Sequence, residues 1–393
     1  MSRTGIIGRD PGTGRSICVW IENGVIAAVE ESESDSDLYL SAGFVDLQVN
    51  GYAGFDLNAE RISAETIAGL VDAMLANGVT CFAPTLITAP EERISSNLRV
   101  IAGARRNNRR AAACIPFVHV EGPHISPLDG YRGAHPAASI RPPSLAEFDR
   151  WQDAAGGLVG MVTLSPHYEE TAEYVAALIS RGVHVAIGHT HASARQIHLA
   201  VDAGASLSTH LGNGIAQMIP RHNNPLYPQL ADDRLTATFI GDGHHLPADA
   251  LKAMMRAKGM ERCVLVSDAV ALAGMPPGEY TTAVGGRVEL RSDGRLSIPG
   301  TELLAGATTP LARCIGNVVR AAGLPLKDVL AMVTVNPGRY AGGRGHLSAG
   351  SRADLIRFRW TDEVSIEDVW LAGERVNGIQ PPRDKMPPCE NLN

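Results

Sequence analysis

The chain has 393 residues, 45% of them hydrophobic and 20% charged, and a formal net charge of −7. This is an ordinary globular composition, long enough to bury a core without disulfides or a structural metal. The acidic balance argues against nucleic acid as a partner. No run of about 18 apolar residues is present to span a membrane.

In chain order, the segment Ile17 to Glu31 holds two β-type runs around Asn23-Gly24, a dipeptide suited to a type I′ hairpin turn. The acidic stretch Glu31 to Asp37 follows as a polar connection. Near the other end, Asp354 to Trp360 and Val364 to Val376 are again β-rich, with a turn expected at Ala372-Gly373. Both ends together predict a small β-sandwich domain, residues 1–41 plus 345–393. The proline-rich tail after Gly378 is expected to be loose.

Between them, residues 42–344 carry eight short apolar runs: GFVDLQVNG, GVTCFAPT, IPFVHVEGP, GMVTLSP, GVHVAIGHT, ASLSTHL, LTATFIGDG and RCVLVSDA. Stretches of helical periodicity lie between them, such as Ile62 to Gly78 and Glu169 to Gly182. Strands alternating with helices imply a parallel sheet, and eight of them imply a closed (β/α)8 barrel of the TIM type. An open doubly wound sheet is the alternative. The basic cluster Arg105, Arg106, Arg109 and Arg110 reads as a solvated turn.

The six cysteines show no C-x-x-C spacing and lie mostly in apolar runs, which suits reduced thiols and a cytoplasmic protein. The N-terminal segment lacks the apolar core of a signal peptide.

A barrel places its chemistry at the C-terminal ends of its strands. Those ends carry Gln48 and Asn50, Glu121, His189, His210, Asp242 with His245, and Asp268. Glu121, His189 and His210 make a carboxylate and two imidazoles, a catalytic zinc set that leaves a position for water. Asp268 is the candidate general base, with a helix N-cap as its plainer alternative. Gln48 and Asn50 stand where related barrel hydrolases carry His-x-His; neutral amides are poor zinc ligands, so a single metal is expected. The amides remain free to hold a water or the substrate. His119, two residues before Glu121 on the same face, is expected deeper in the barrel as a packing or supporting group.

The motifs SAGFVDLQVNG, HVEGPHISP followed by RGAHP, IGHTHA, THLGNG, GDGHH and VSDA together resemble the N-acetylglucosamine-6-phosphate deacetylases, a branch of the amidohydrolase superfamily. The ending GHLSAGSRADLI resembles the superfamily's closing strand, and the resemblance covers nearly the whole chain. It implies one divalent metal on Glu121, His189 and His210: Zn2+, with Fe2+, Co2+ or Mn2+ as alternatives. It makes Asp268 the catalytic aspartate and puts His135 and His245 against the sugar and the scissile amide. Asn213 and Gly214 then meet the phosphate, and Arg221 binds it, commonly across a homodimer interface. The implied partner is a phosphorylated amino sugar, and the implied products are acetate and glucosamine 6-phosphate. HLGNGIAQMIPRHNNP and LSPHYE depart from the family's usual H-L-x-N-A-M, R-E-P-G and LAPE. Another N-acyl amino sugar, an N-acyl amino acid or a cyclic amide therefore stays open as the substrate, as does a non-catalytic binding protein.

Overall fold

The computed structural model describes residues 3–282 and 286–377. All eight apolar runs form strands of one parallel sheet. They are Phe44–Val49, Val79–Ile87, Val118–Glu121, Val159–Leu164, His184–Ile187, Leu207–Ser208, Thr236–Ile240 and Cys263–Val266. Each pairs with its sequence neighbour, so the spatial order follows the chain order. Some of the helices between them begin at side-chain caps that the sequence supplies. Ser63 and Thr66 form a capping box ahead of the helix Ala64–Ala76, which buries Ile67, Leu70, Val71, Met74 and Leu75. Ser193 and Gln196 do the same ahead of Ala194–Asp202.

Strands one and eight close the barrel by different means at its two ends. At the C-terminal rim Asp268 N donates to Gln48 O (3.0 Å) and Asn50 N to Ala269 O (2.9 Å). At the opposite end the turn at Met332 and Val333 fills the gap: Val45 N donates to Val333 O and Leu265 N to Met332 O. Between these levels lies a fully buried carboxylate. Asp46 accepts from Ser267 N with both oxygens (3.2 Å each) and from Gln48 N (3.2 Å). Burial first, then the charge of Asp268, pushes its carboxyl up to about 7, against the hydrogen bonds it accepts. The barrel interior is filled by Val45, Leu47, Phe117, Met161, Val264 and Val266, among others.

Both termini join in a second sheet of seven strands. Its order is Glu374–Arg375, Val364–Leu371, Leu355–Trp360, Tyr39–Ala42, Thr4–Arg9, Ser16–Glu22, Val25–Glu31. The small domain expected from the two ends is thus one sheet curled on itself. Its edge strand turns back onto the chain before Leu355, with Ile26 N on Ser351 O and Ala353 N on Gly24 O. Ile6, Val19, Ile26, Leu40, Leu355 and Trp370 fill the curl. Asn23 and Gly24 both have positive φ (52° and 77°), as the I′ turn requires, and Ala372 and Gly373 repeat the device.

A three-stranded insert, Gly278–Thr282, Gly286–Leu290 and Leu296–Ser297, was not foreseen from the sequence. It has its own small core of Leu272, Val288, Leu290 and Leu296. Among the described residues no helix is long and apolar enough to cross a membrane. Five cysteines are free and buried, and Cys389, like the tail after Gly378, lies outside the described residues.

The barrel closure gives a stability prediction. Asp46→Ala leaves two buried backbone N–H groups without their carboxylate acceptor and lowers the unfolding free energy by about 2–4 kcal/mol. Denaturant unfolding measures it; a loss under about 0.5 kcal/mol contradicts the clamp.

Candidate active site

The site is assembled from strand three onward. Glu121 ends its strand inside the barrel mouth, 2% exposed. His189 follows strand five and His210 follows strand six. His210 Nε2 lies 2.9 Å from Glu121 Oε1, His189 Nε2 lies 3.4 Å from the same oxygen, and the two Nε2 atoms are 3.1 Å apart. Three donor atoms from distant parts of the chain therefore face one point.

Burial alone would raise the Glu121 carboxyl. Hydrogen bonds and charge from His189 and His210 overcome that and hold it well below the usual carboxylate range. The reciprocal effect raises His210 despite its burial. Two imidazole nitrogens pressed together against one carboxylate oxygen are poorly arranged for each other but suit a shared cation. His189 Nδ1 meets the Tyr131 carbonyl at 2.8 Å, which leaves Nε2 free as a ligand atom. The donor set, one carboxylate and two imidazoles, fits a single divalent metal.

Local backbone supports the convergence. His189, His210 and Asp268 all have positive φ (47°, 28° and 47°), a costly conformation for residues with a side chain. Gly214, also at positive φ, lies against His189: a Cβ there would fall 2.8 Å from Nδ1 of the ring. Its missing side chain gives the imidazole its place.

Asp268 stands at the same rim just past strand eight, half-buried and lining the cavity. Burial first, then the Glu121 charge, raises its carboxyl to about 6, against the opposing charges of His210 and His245 and a hydrogen bond from Asn50. Asn50 Nδ2 donates to Asp268 Oδ1 at 2.7 Å, and Gln48 Nε2 donates to Glu121 Oε1 at 3.0 Å. The two amides of strand one thus hold the metal-set glutamate and the strand-eight aspartate, a role that the sequence left open. The N-cap alternative for Asp268 fails, since no described helix begins there.

Other histidines sort by contact. His135 is buried beside the set, with Nδ1 2.8 Å from Thr88 Oγ1 and Nε2 3.9 Å from Glu121 Oε2. Burial, then His189, lowers it to about 3, so it is neutral. His245 lines the cavity and is oriented by Asp242, whose carboxylate accepts from its Nδ1 at 2.6 Å and from its backbone N–H. Asp242 is a positioning group that the sequence placed at the rim without a role. His119 lies deeper, between Leu47 O and Thr163 Oγ1, as its position on the strand face implied.

Asn213 and Gly214 line the cavity, whereas Arg221 is exposed and outside its lining. The cavity, about 440 Å3, takes its outer wall from the insert and the strap after it, including Leu296, Leu303 and Leu304. These residues carry no motif, and alternation in GRVEL was the one signal of a strand there. Asp56, also on the lining, lies in a short hairpin, Gly51–Tyr52 with Phe55–Asp56, that carries no motif.

An eight-stranded barrel with a glutamate, two imidazoles and an aspartate at its C-terminal rim defines a class: the metal-dependent barrel hydrolases. Residues 39–376 match the amidohydrolase family model. N-Acetylglucosamine-6-phosphate deacetylase of Rattus norvegicus is 32% identical over 86% of this chain and 83% of its own. N-Acetylgalactosamine-6-phosphate deacetylase of Escherichia coli O157:H7 is 29% identical over 90% of this chain and 93% of its own. Among solved structures, a Mycobacterium smegmatis N-acetyl-D-glucosamine-6-phosphate deacetylase variant in complex with N-acetyl-D-glucosamine-6-phosphate superposes with a TM-score of 0.82. It is 30% identical, and the match covers 95% of this chain and 99% of that one. The chain belongs to the amidohydrolase family, in its N-acetylglucosamine-6-phosphate deacetylase branch.

The geometry predicts one divalent metal per chain in the purified protein, and its loss in Glu121→Ala with the fold retained. Elemental analysis beside circular dichroism measures both. Stoichiometric metal in folded Glu121→Ala contradicts the ligand set.

Proposed function

We propose that the chain hydrolyses the acetamide of N-acetylglucosamine 6-phosphate to acetate and glucosamine 6-phosphate. The observation that carries this reading is the convergence of Glu121, His189 and His210 on one point, with Asp268 at the same rim of a deacetylase-like barrel. In it, Glu121, His189 and His210 hold one divalent ion, Zn2+ by donor type, with Fe2+, Co2+ or Mn2+ as alternatives. Such an ion, when bound, polarises the acyl carbonyl and acidifies water.

The chain's own groups supply the rest. Asp268 takes a proton from the attacking water and returns it to the leaving nitrogen as the C–N bond breaks. Asn50 occupies Oδ1 of that carboxylate, which leaves Oδ2 for the transfer. In the tautomer where Nδ1 accepts from Thr88 Oγ1, the neutral His135 keeps its proton on Nε2, and that N–H hydrogen-bonds to the developing oxyanion. His245, fixed by Asp242, lines the same cavity and contacts the amide and sugar there.

Phosphate recognition asks for more than this chain's cavity offers. Among the described residues that line it there is no Lys or Arg, while Asp56 and Glu302 are present. A dianionic phosphate there needs a cation from elsewhere. Arg221, exposed and outside the lining, is free to serve the cavity of a second copy, with Asn213 and Gly214 meeting the phosphate from within. This makes the working form a homodimer. The buried free thiols suit a reducing, cytoplasmic setting. The Escherichia coli relative is named for the C4-epimeric sugar, so the galactosamine derivative is the second substrate to assay.

These roles give three testable outcomes. Asp268→Asn lowers kcat by about 10²–10⁴-fold with the metal still bound. In the wild type, activity falls as pH drops through about 6 or below, because the raised Asp268 carboxyl must be ionised to act as a base and a bound cation pulls its pKa back down. Near-normal turnover in Asp268→Asn rejects the assignment. Arg221→Ala raises KM for the phosphorylated sugar by roughly 30-fold or more, the scale of a lost charge pair of about 2 kcal/mol, and leaves the free sugar unchanged. Equal effects on both sugars place the phosphate elsewhere.

A further inference from the structure

We propose that His167 and His191 form a second transition-metal site, separate from the catalytic set. The loops after strands four and five are neighbours because those strands pair in the barrel. Each brings one histidine to the same place. The two imidazole rings lie 4.4 Å apart at 46°. The rings of His189 and His210, which share the catalytic point, are no closer, at 4.8 Å.

Each ring is aimed by a hydroxyl through its inner nitrogen. Ser165 Oγ lies 2.7 Å from His167 Nδ1, and Ser126 Oγ lies 2.6 Å from His191 Nδ1. Ser165 is held in turn by Thr190 Oγ1 at 2.7 Å, and the Tyr168 ring lies tilted against the His167 ring, 3.8 Å between centroids. A hydrogen bond at one ring nitrogen fixes a histidine so that the other can ligate. Among the described residues neither Nε2 has a hydrogen-bond partner, and both side chains are half-buried rather than sealed, so water can complete the coordination.

Ligation needs neutral imidazole. Burial, then the neighbouring His191, lowers His167 to about 4, so it is neutral at physiological pH. The ion that fits two imidazoles and water is a divalent transition metal of the zinc, nickel or copper type, not calcium or magnesium. Neither histidine lines the substrate cavity, so the site is distinct from the catalytic one. The proposed reaction does not depend on it.

Equilibrium dialysis of tag-free protein, with its catalytic site already loaded with one zinc, against rising free Zn2+ tests the proposal. The wild type takes up a second equivalent; His167→Ala and the closer-sized His167→Gln stop at one, with the first equivalent unchanged. Saturation of the wild type at one equivalent, or two equivalents in both variants, overturns the site. Independently, Cu2+ added to the zinc-loaded wild type gives an electron paramagnetic resonance spectrum split by imidazole nitrogens. A spectrum of oxygen-only ligation overturns it even where a variant fails to fold.

Discussion

A negative charge sealed inside the barrel governs this molecule. Glu121 is almost without solvent, and a lone buried carboxylate is too costly to keep ionised. Two imidazoles and one amide converge on its Oε1, and they hold the charge in place. Burial first, and then the same charge, raise Asp268, the group proposed to take up and release a proton. In the proposed reaction one carboxylate thus anchors a cation and helps to tune the base.

The scaffold makes that arrangement rigid. Three of the four key residues sit on backbone of positive φ, where a protein accepts strain only if its surroundings enforce it. Strands one and eight are tied by backbone bonds at the rim and by the Asp46 carboxylate below them. Gln48 and Asn50 extend from the same strand to Glu121 and Asp268. Relative to a strand-one histidine pair, this sequence exchanges a second metal position for two neutral donors. In the proposed site the exchange limits the set to one ion, and each amide bonds one of the two carboxylates.

Much of this was legible in the residues. Eight apolar runs ending in polar groups gave the barrel, because strand tips carry chemistry where strand middles carry packing. Asn23-Gly24 gave its hairpin because both residues tolerate positive φ. What could not be read is what depends on approach between remote segments. The hydrogen bonds of Gln48 and Asn50 join residues 73 and 218 positions apart, and no spacing encodes them. The insert at 278–297 has weak alternation and few apolar residues, so its strands and its part in the cavity wall emerged only in three dimensions. Arg221 matched a family position, yet its distance from its own cavity is a property of the fold alone.

The central claim is that one ion is held by Glu121, His189 and His210 within reach of Asp268. Anomalous X-ray scattering from crystals of the metal-loaded protein, recorded on both sides of the metal's absorption edge, tests it most directly. The account predicts one strong peak about 2.0–2.2 Å from a Glu121 oxygen and from Nε2 of both histidines. A peak on other side chains, or none at this rim in protein that carries metal and turns over, contradicts it.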